Sequence, residues 1–142
     1  MFLFIVIGAG IFAFLGVMHG LATLTSTPER GAMTPTDPHI QQAMQTPGGI
    51  GLAPDLATPL WRPWLGFNLS HSIGALVLAG VIAIPALRDV AAAVDDPVWV
   101  GTSLGVPAVL LVVSVRFWFA KPTQAIALAT ALIWLGVLAE LV

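Results

Sequence analysis

Four long stretches of the chain are mostly apolar. Residues 2–24 carry no charge at all. Residues 64–87 are apolar except for Asn68, Ser70, His71 and Ser72 near their start. Residues 98–119 hold one charge, Arg116, near their end, and residues 123–141 hold one, Glu140, in the last turn. About 20 apolar residues suffice for a helix to cross the hydrocarbon core. Backbone immersed in lipid must satisfy its own hydrogen bonds, so each stretch is predicted to be a helix. Strands of a membrane barrel would be about 10 residues long with strict alternation, which these stretches lack. The first stretch lacks a basic leader and is too long for the apolar part of a signal peptide, so it is read as a retained helix.

The connections are unequal. Residues 25–60 form a long loop with six prolines: Pro28, Pro35, Pro38, Pro47, Pro54 and Pro59. The link 88–97 is short and acidic, with Asp89, Asp95 and Asp96, and residues 120–122 form a tight hairpin. Short links force antiparallel neighbours. The expected fold is therefore all-α: a single domain, residues 1–142, forming an antiparallel four-transmembrane-helix bundle. Within the loop, Asp37 can cap a short helix near 38–45, and Pro38 suits its first position. Ile40 and Met44, four residues apart, would form its small apolar face. Residues 46–54 are glycine-rich. A loop of this length in a compact domain calls for an explanation: either a lid over the bundle mouth or a surface helix lying on the headgroups. Trp61 and Trp64 stand where the chain re-enters the membrane, as interfacial tryptophans do.

Composition sharpens the picture by exclusion. Of 142 residues, 58% are hydrophobic and 8% charged, with a mean hydropathy of +0.96. An ordinary soluble domain is roughly 25% charged. A net charge of −2 offers no basic stripe for nucleic acid. The absence of cysteine excludes disulfides, thiolate metal sites and cysteine nucleophiles. Arg30, Arg62, Arg116 and Lys121 fall on the side of the long loop and Arg88 alone on the other. The bias of Lys and Arg toward the cytoplasm places the loop inside and both termini outside, in a bacterial inner membrane.

Polar residues within the spans are the candidates for function, since they are costly there and usually face the bundle or a cavity. His19 lies near the end of the first span, Asn68, His71 and Ser72 near the start of the second, Arg116 near the end of the third, and Gln124 at the start of the fourth. Antiparallel alternation puts all six in the leaflet next to the long loop. Asn68, His71 and Ser72, at i, i+3 and i+4, share a helix face. Gly66, Ser70 and Gly74, with Gly16, Gly20, Gly101 and Gly105, are candidates for close helix approach, and Pro107 is a candidate kink. Three readings of His19 and His71 stand side by side: hydrogen-bonded fasteners between helices, the lining of a ligand pocket with Asn68 and Arg116, or axial ligands of a b-type haem or a metal ion. A three-histidine zinc site would require His39 to fold down from the loop. Arg116 either snorkels to phosphates or anchors an anionic group, with Asp37 or Asp55 as its other partner. Glu140 is expected to end in water. Ser70, His71 and Ser72 are adjacent, point different ways on a helix, and make no catalytic triad.

Val17-Met18-His19-Gly20, residues 34–38 (Thr-Pro-Thr-Asp-Pro) with Ala43-Met44, and above all residues 61–74 (Trp-Arg-Pro-Trp-Leu-Gly-Phe-Asn-Leu-Ser-His-Ser-Ile-Gly) carry a resemblance. The chain resembles a family of small bacterial four-helix membrane proteins of unassigned activity. The resemblance covers most of the chain, implies the four-helix fold, and carries over no catalytic residues.

The expected function is that of a small non-catalytic membrane protein. It would be an accessory subunit of a larger membrane complex, or a binder of lipid or of a quinone-like ligand at a polar pocket made of His19, Asn68, His71, Ser72, Arg116 and Gln124. No cofactor is expected. The alternative is a membrane-embedded redox protein or enzyme using His19 and His71, with haem b or a metal, and Arg116.

Overall fold

The computed structural model describes residues 1–50 and 58–142. The described residues form six helices and no strand: α1 (Phe2–Leu24), α2 (Pro38–Gln45), α3 (Trp61–Arg88), α4 (Val90–Asp95), α5 (Pro97–Phe117) and α6 (Ala120–Glu140). Four of them, α1, α3, α5 and α6, are long and apolar enough to cross a membrane. This is an all-α chain of the membrane-spanning kind.

The boundaries follow from local chemistry. α3 starts three residues before the hydropathy rise, at Trp61. Its first turn accommodates Pro63, where a missing N–H has no helical partner to lose. The acidic link between the second and third spans is not a plain loop. It contains α4, whose first turn is capped by Asp89 accepting from the Ala92 N–H at 3.1 Å. Asp96 then caps α5 by accepting from Val98 N–H at 2.8 Å, with Pro97 in the first turn. Two of the three acids are thus helix caps. The hairpin also sits earlier than expected. α5 ends at Phe117, and Trp118 and Phe119 are extended. Lys121 and Pro122 belong to the first turn of α6, a position that suits proline.

The chain divides into two compact units, residues 1–15 with 75–142 and residues 16–74. The first unit contains parts of all four spans packed as a four-helix core. Ile5, Ala9 and Phe12 of α1 are buried there, with Leu78, Ala79 and Ile82 of α3, Trp99 of α5, and Ile126, Ala129, Ile133 and Val137 of α6. α1 and α6 approach through glycines. A Cβ on Gly8 would lie 2.7 Å from Ile133 Cγ1 and 2.8 Å from the Ala129 carbonyl, and one on Gly136 would lie 2.9 Å from the backbone nitrogen of Ile5. At the same end, the Met1 amino group pairs with Glu140 at 2.7 Å. The close approach gives Glu140, expected to end in water, the Met1 ammonium as a partner. Side chains also stitch helices to neighbouring backbone. Trp134 donates to the Leu104 carbonyl at 2.9 Å, Thr130 to the Pro107 carbonyl at 3.3 Å, and Trp99 to the Ile82 carbonyl at 3.3 Å. Only 22–33% of each apolar span is buried inside the chain, so most of its Leu, Val, Ile and Phe surface faces outward, as lipid contact requires.

The second unit joins the end of α1, the start of α3 and the described part of the long loop. Ser26 ties the loop to α1: its hydroxyl donates to the Ala22 carbonyl at 2.7 Å and accepts from Met33 N–H at 3.0 Å. Thr34 donates to the Thr27 carbonyl at 2.6 Å. Gly31, at φ 132°, lies against Ser26 where any Cβ would collide with the Ser26 side chain and backbone. Asp37 caps α2 through His39 N–H at 2.8 Å, with Pro38 first in the helix, as expected. Met44 is buried but Ile40 is 46% exposed. The apolar face of this one-sided helix is therefore Met44 alone. Pro54, Asp55 and the rest of residues 51–57 lie outside the described residues, including part of the glycine-rich stretch.

Candidate ligand site

The second unit brings four of the six candidate residues together. His19, in the penultimate turn of α1, and Asn68, in the second turn of α3, meet through their side chains at 3.0 Å, His19 Nε2 to Asn68 Oδ1. Asn68 is buried and both histidines are half-buried. The other end of the Asn68 amide, Nδ2, donates to the Trp64 carbonyl at 2.8 Å. A carbonyl only accepts, so that bond sets which end of the amide is nitrogen. Oδ1 therefore faces His19 and can only accept, so Nε2 of His19 carries the proton. In the neutral imidazole the remaining nitrogen, Nδ1, is then a bare acceptor. Thr23, one turn further along, donates to the His19 carbonyl at 2.8 Å.

His71 completes a series of rings. Its ring centroid lies 5.8 Å from that of His19, tilted by 50°, and 6.0 Å from that of Phe67, nearly edge-on. Phe67 is 64% exposed. The series runs from an exposed aromatic ring, through one half-buried imidazole, to a second one held by Asn68. Ser72 is buried and donates to the Asn68 carbonyl at 3.0 Å. A Cβ added at Gly20 would meet Ser72 Cβ at 3.4 Å, ordinary contact. Ser72 thus fills the α1–α3 seam as a small residue, its proton committed to its own helix. Among the described residues, nothing would meet a Cβ at Gly66 or Gly74, and Ser70 is exposed, so that small-residue face is open to them rather than packed.

Arg116 and Gln124 belong to the first unit. Arg116 is exposed, and its guanidinium stands 5.3 Å over the Phe117 ring. Asp37, considered as its partner, belongs to the second unit, where its Oδ1 accepts from His39 N–H. Gln124 is exposed near the start of α6. Among the described residues, the one ion pair is that of Met1 and Glu140, and no three His, Asp or Glu side chains gather closely enough to hold a metal ion. His39 is exposed in α2. Axial ligation of a haem through His19 Nε2 would compete with the bond to Asn68. Open apolar grooves of about 460 and 400 Å³ flank α5, one past Gly101, Gly105 and Val109, the other past Gly80, Ile84 and Trp99. Neither includes a residue of the histidine cluster.

Sequence reasoning did not single out Phe67, Trp64 or Thr23 as parts of this site. Each sits four residues from a partner: Phe67 from His71, Trp64 from Asn68, and Thr23 from His19. That spacing is the signal that marks them. No protein-family model, no curated protein and no solved structure matches the chain.

Proposed function

We propose that the protein is a non-catalytic integral membrane protein that binds an amphipathic, quinone-like lipid, alone or as an accessory subunit of a larger membrane complex. The observation that carries this is the ring series Phe67, His71 and His19, with Asn68 orienting the last ring. A polar ring system beside exposed apolar surface suits a ligand with a flat polar head and a greasy tail. Aromatic faces stack on such a head, and imidazole nitrogens hydrogen-bond its oxygens. No nucleophile with its base stands beside these rings among the described residues, which favours binding over catalysis.

The reading extends to placement. We propose a bacterial inner membrane, with the long loop cytoplasmic and both termini outside, and kinship with the small bacterial four-helix proteins that the chain resembles. Because the chain lacks cysteine, Ala32→Cys is a clean probe of sidedness. Labelling of that position by an impermeant maleimide only after the cells are opened is the expected result, and labelling in intact cells overturns the orientation.

The decisive experiment is mass spectrometry of lipids and proteins that co-purify with the chain in mild detergent, compared with His19→Ala and His71→Ala. The expected result is a lipid-like molecule retained by the parent and lost from both variants. Folded variants that retain the same lipids and the same partners overturn the proposal. The reading needs no prosthetic group. A Soret band in the parent that disappears in His71→Ala would replace it with haem binding.

A further inference from the structure

We propose that the His19 site selects a ligand whose head group donates a hydrogen bond, a ring-borne hydroxyl of the hydroquinone kind, over the corresponding carbonyl form. This rests on the ligand-binding reading above and assigns the polarity of its head group.

The argument is one of proton positions. The Trp64 carbonyl accepts from Asn68 Nδ2 at 2.8 Å, which fixes the amide. Asn68 Oδ1 then accepts from His19 Nε2 at 3.0 Å, which fixes the proton on that nitrogen. The neutral ring therefore has no N–H left to offer. Its Nδ1 lone pair can only accept. The Trp64 carbonyl is itself the end of the relay, being backbone in the first turn of α3, so the chain of donors runs one way, from His19 to Asn68 to the backbone. A ligand hydroxyl donating to Nδ1 would continue the same direction from the other end. A hydroxyl donates to Nδ1. A carbonyl oxygen placed there would face a lone pair, and a site built for one hydrogen-bonding pattern rejects the analogue that lacks it.

The test uses the full chain in phosphatidylcholine nanodiscs and three radiolabelled probes: a decyl-substituted hydroquinone, the matching benzoquinone, and the dimethyl ether of the hydroquinone. The hydroquinone is expected to bind about tenfold more tightly than either of the others, the difference one hydrogen bond makes. Asn68→Leu releases the proton from Nε2, allows either tautomer, and is expected to shrink the preference to about threefold or less. Nitrogen-15 NMR of labelled histidine gives an independent readout: one ring with an unprotonated Nδ1 and a protonated Nε2, absent from His19→Asn. Equal binding of hydroquinone and quinone, or tighter binding of the quinone, overturns the selection and leaves the binding site standing. A protonated Nδ1 on His19 overturns it directly. Failure of all three probes overturns the selection. If, in addition, no lipid depends on His19 in the co-purification experiment, the binding proposal falls with it.

Discussion

The side chains of His19 and Asn68, 49 positions apart in the chain, are joined by a 3.0 Å hydrogen bond between two membrane-spanning helices. Asn68 is buried, and its other amide end is held by its own helix. Interhelical polar bonds in membranes have measured strengths averaging about 0.6 kcal/mol and reaching about 1.7. A double-mutant cycle of His19→Ala and Asn68→Ala, followed by unfolding in mixed micelles, is expected to give a coupling of about 0.5–1.7 kcal/mol. Additive effects would show that the two residues do not act together.

The glycines sort into two classes by what surrounds them, and this makes a contrast within one protein. Gly8→Ala and Gly136→Ala would place a methyl group within 3 Å of α6 and α1 backbone or side chains, respectively. Each is expected to destabilise by about 1–3 kcal/mol, the usual cost of overpacking. Gly101→Ala and Gly105→Ala meet nothing within 4 Å. They are expected to be neutral or to stabilise α5 by up to about 1 kcal/mol, through helix propensity. Thermal unfolding of the four variants in one detergent checks the ordering. Equal losses at all four sites would mean that α1 and α6 do not meet through Gly8 and Gly136.

Those same glycines show where sequence reasoning stops. The four spans were legible from hydropathy alone, because length and apolar content decide what crosses a membrane. Their edges moved by up to three residues where Pro63, Pro97 and Pro122 found places in first turns and Asp89 and Asp96 became caps. Gly101 and Gly105 carry the small-residue spacing, yet Gly8 and Gly136 make the close approach. A small residue marks where a helix can be approached, not which helix will approach it. These spans are apolar all round, so no stripe reveals how each is rotated. For the site, depth was legible and pairing was not. His19, Asn68 and His71 share a level because antiparallel helices alternate, while the His19–Asn68 bond depends on rotation about both axes. Arg116 shares that expected level but belongs to the other compact unit.

Within α5, Pro107 removes one helical N–H, and α6 supplies bonds to the same stretch. Trp134 donates to the Leu104 carbonyl and Thr130 to that of Pro107 itself. Thr130→Val keeps the shape of the buried side chain and removes only the hydroxyl bond. It is expected to cost about 0.5–1.5 kcal/mol, as is Trp134→Phe through its lost indole N–H. Unfolding of both variants beside the parent is the measurement. No loss in either would mean that these bonds exchange freely with water or detergent.

The loop makes its attachment to α3 through Trp64, whose indole N–H donates to the Met33 carbonyl at 2.9 Å. Trp64 has a second role through its backbone carbonyl, which accepts from Asn68. Changing the side chain tests the first role and spares the second. Trp64→Phe is expected to loosen the loop while leaving the His19–Asn68 bond in place. Amide exchange at Met33 should rise about three- to tenfold, matching the loss of one hydrogen bond of about 1 kcal/mol. Met33 N–H is bonded to the Ser26 hydroxyl, so it reports opening of the loop directly. Gly31→Ala, which forces a Cβ against Ser26 at φ 132°, should raise the same exchange by a different route. Unchanged exchange at Met33 in Trp64→Phe would show that the indole anchors itself at the membrane interface only, and that Ser26 alone holds the loop.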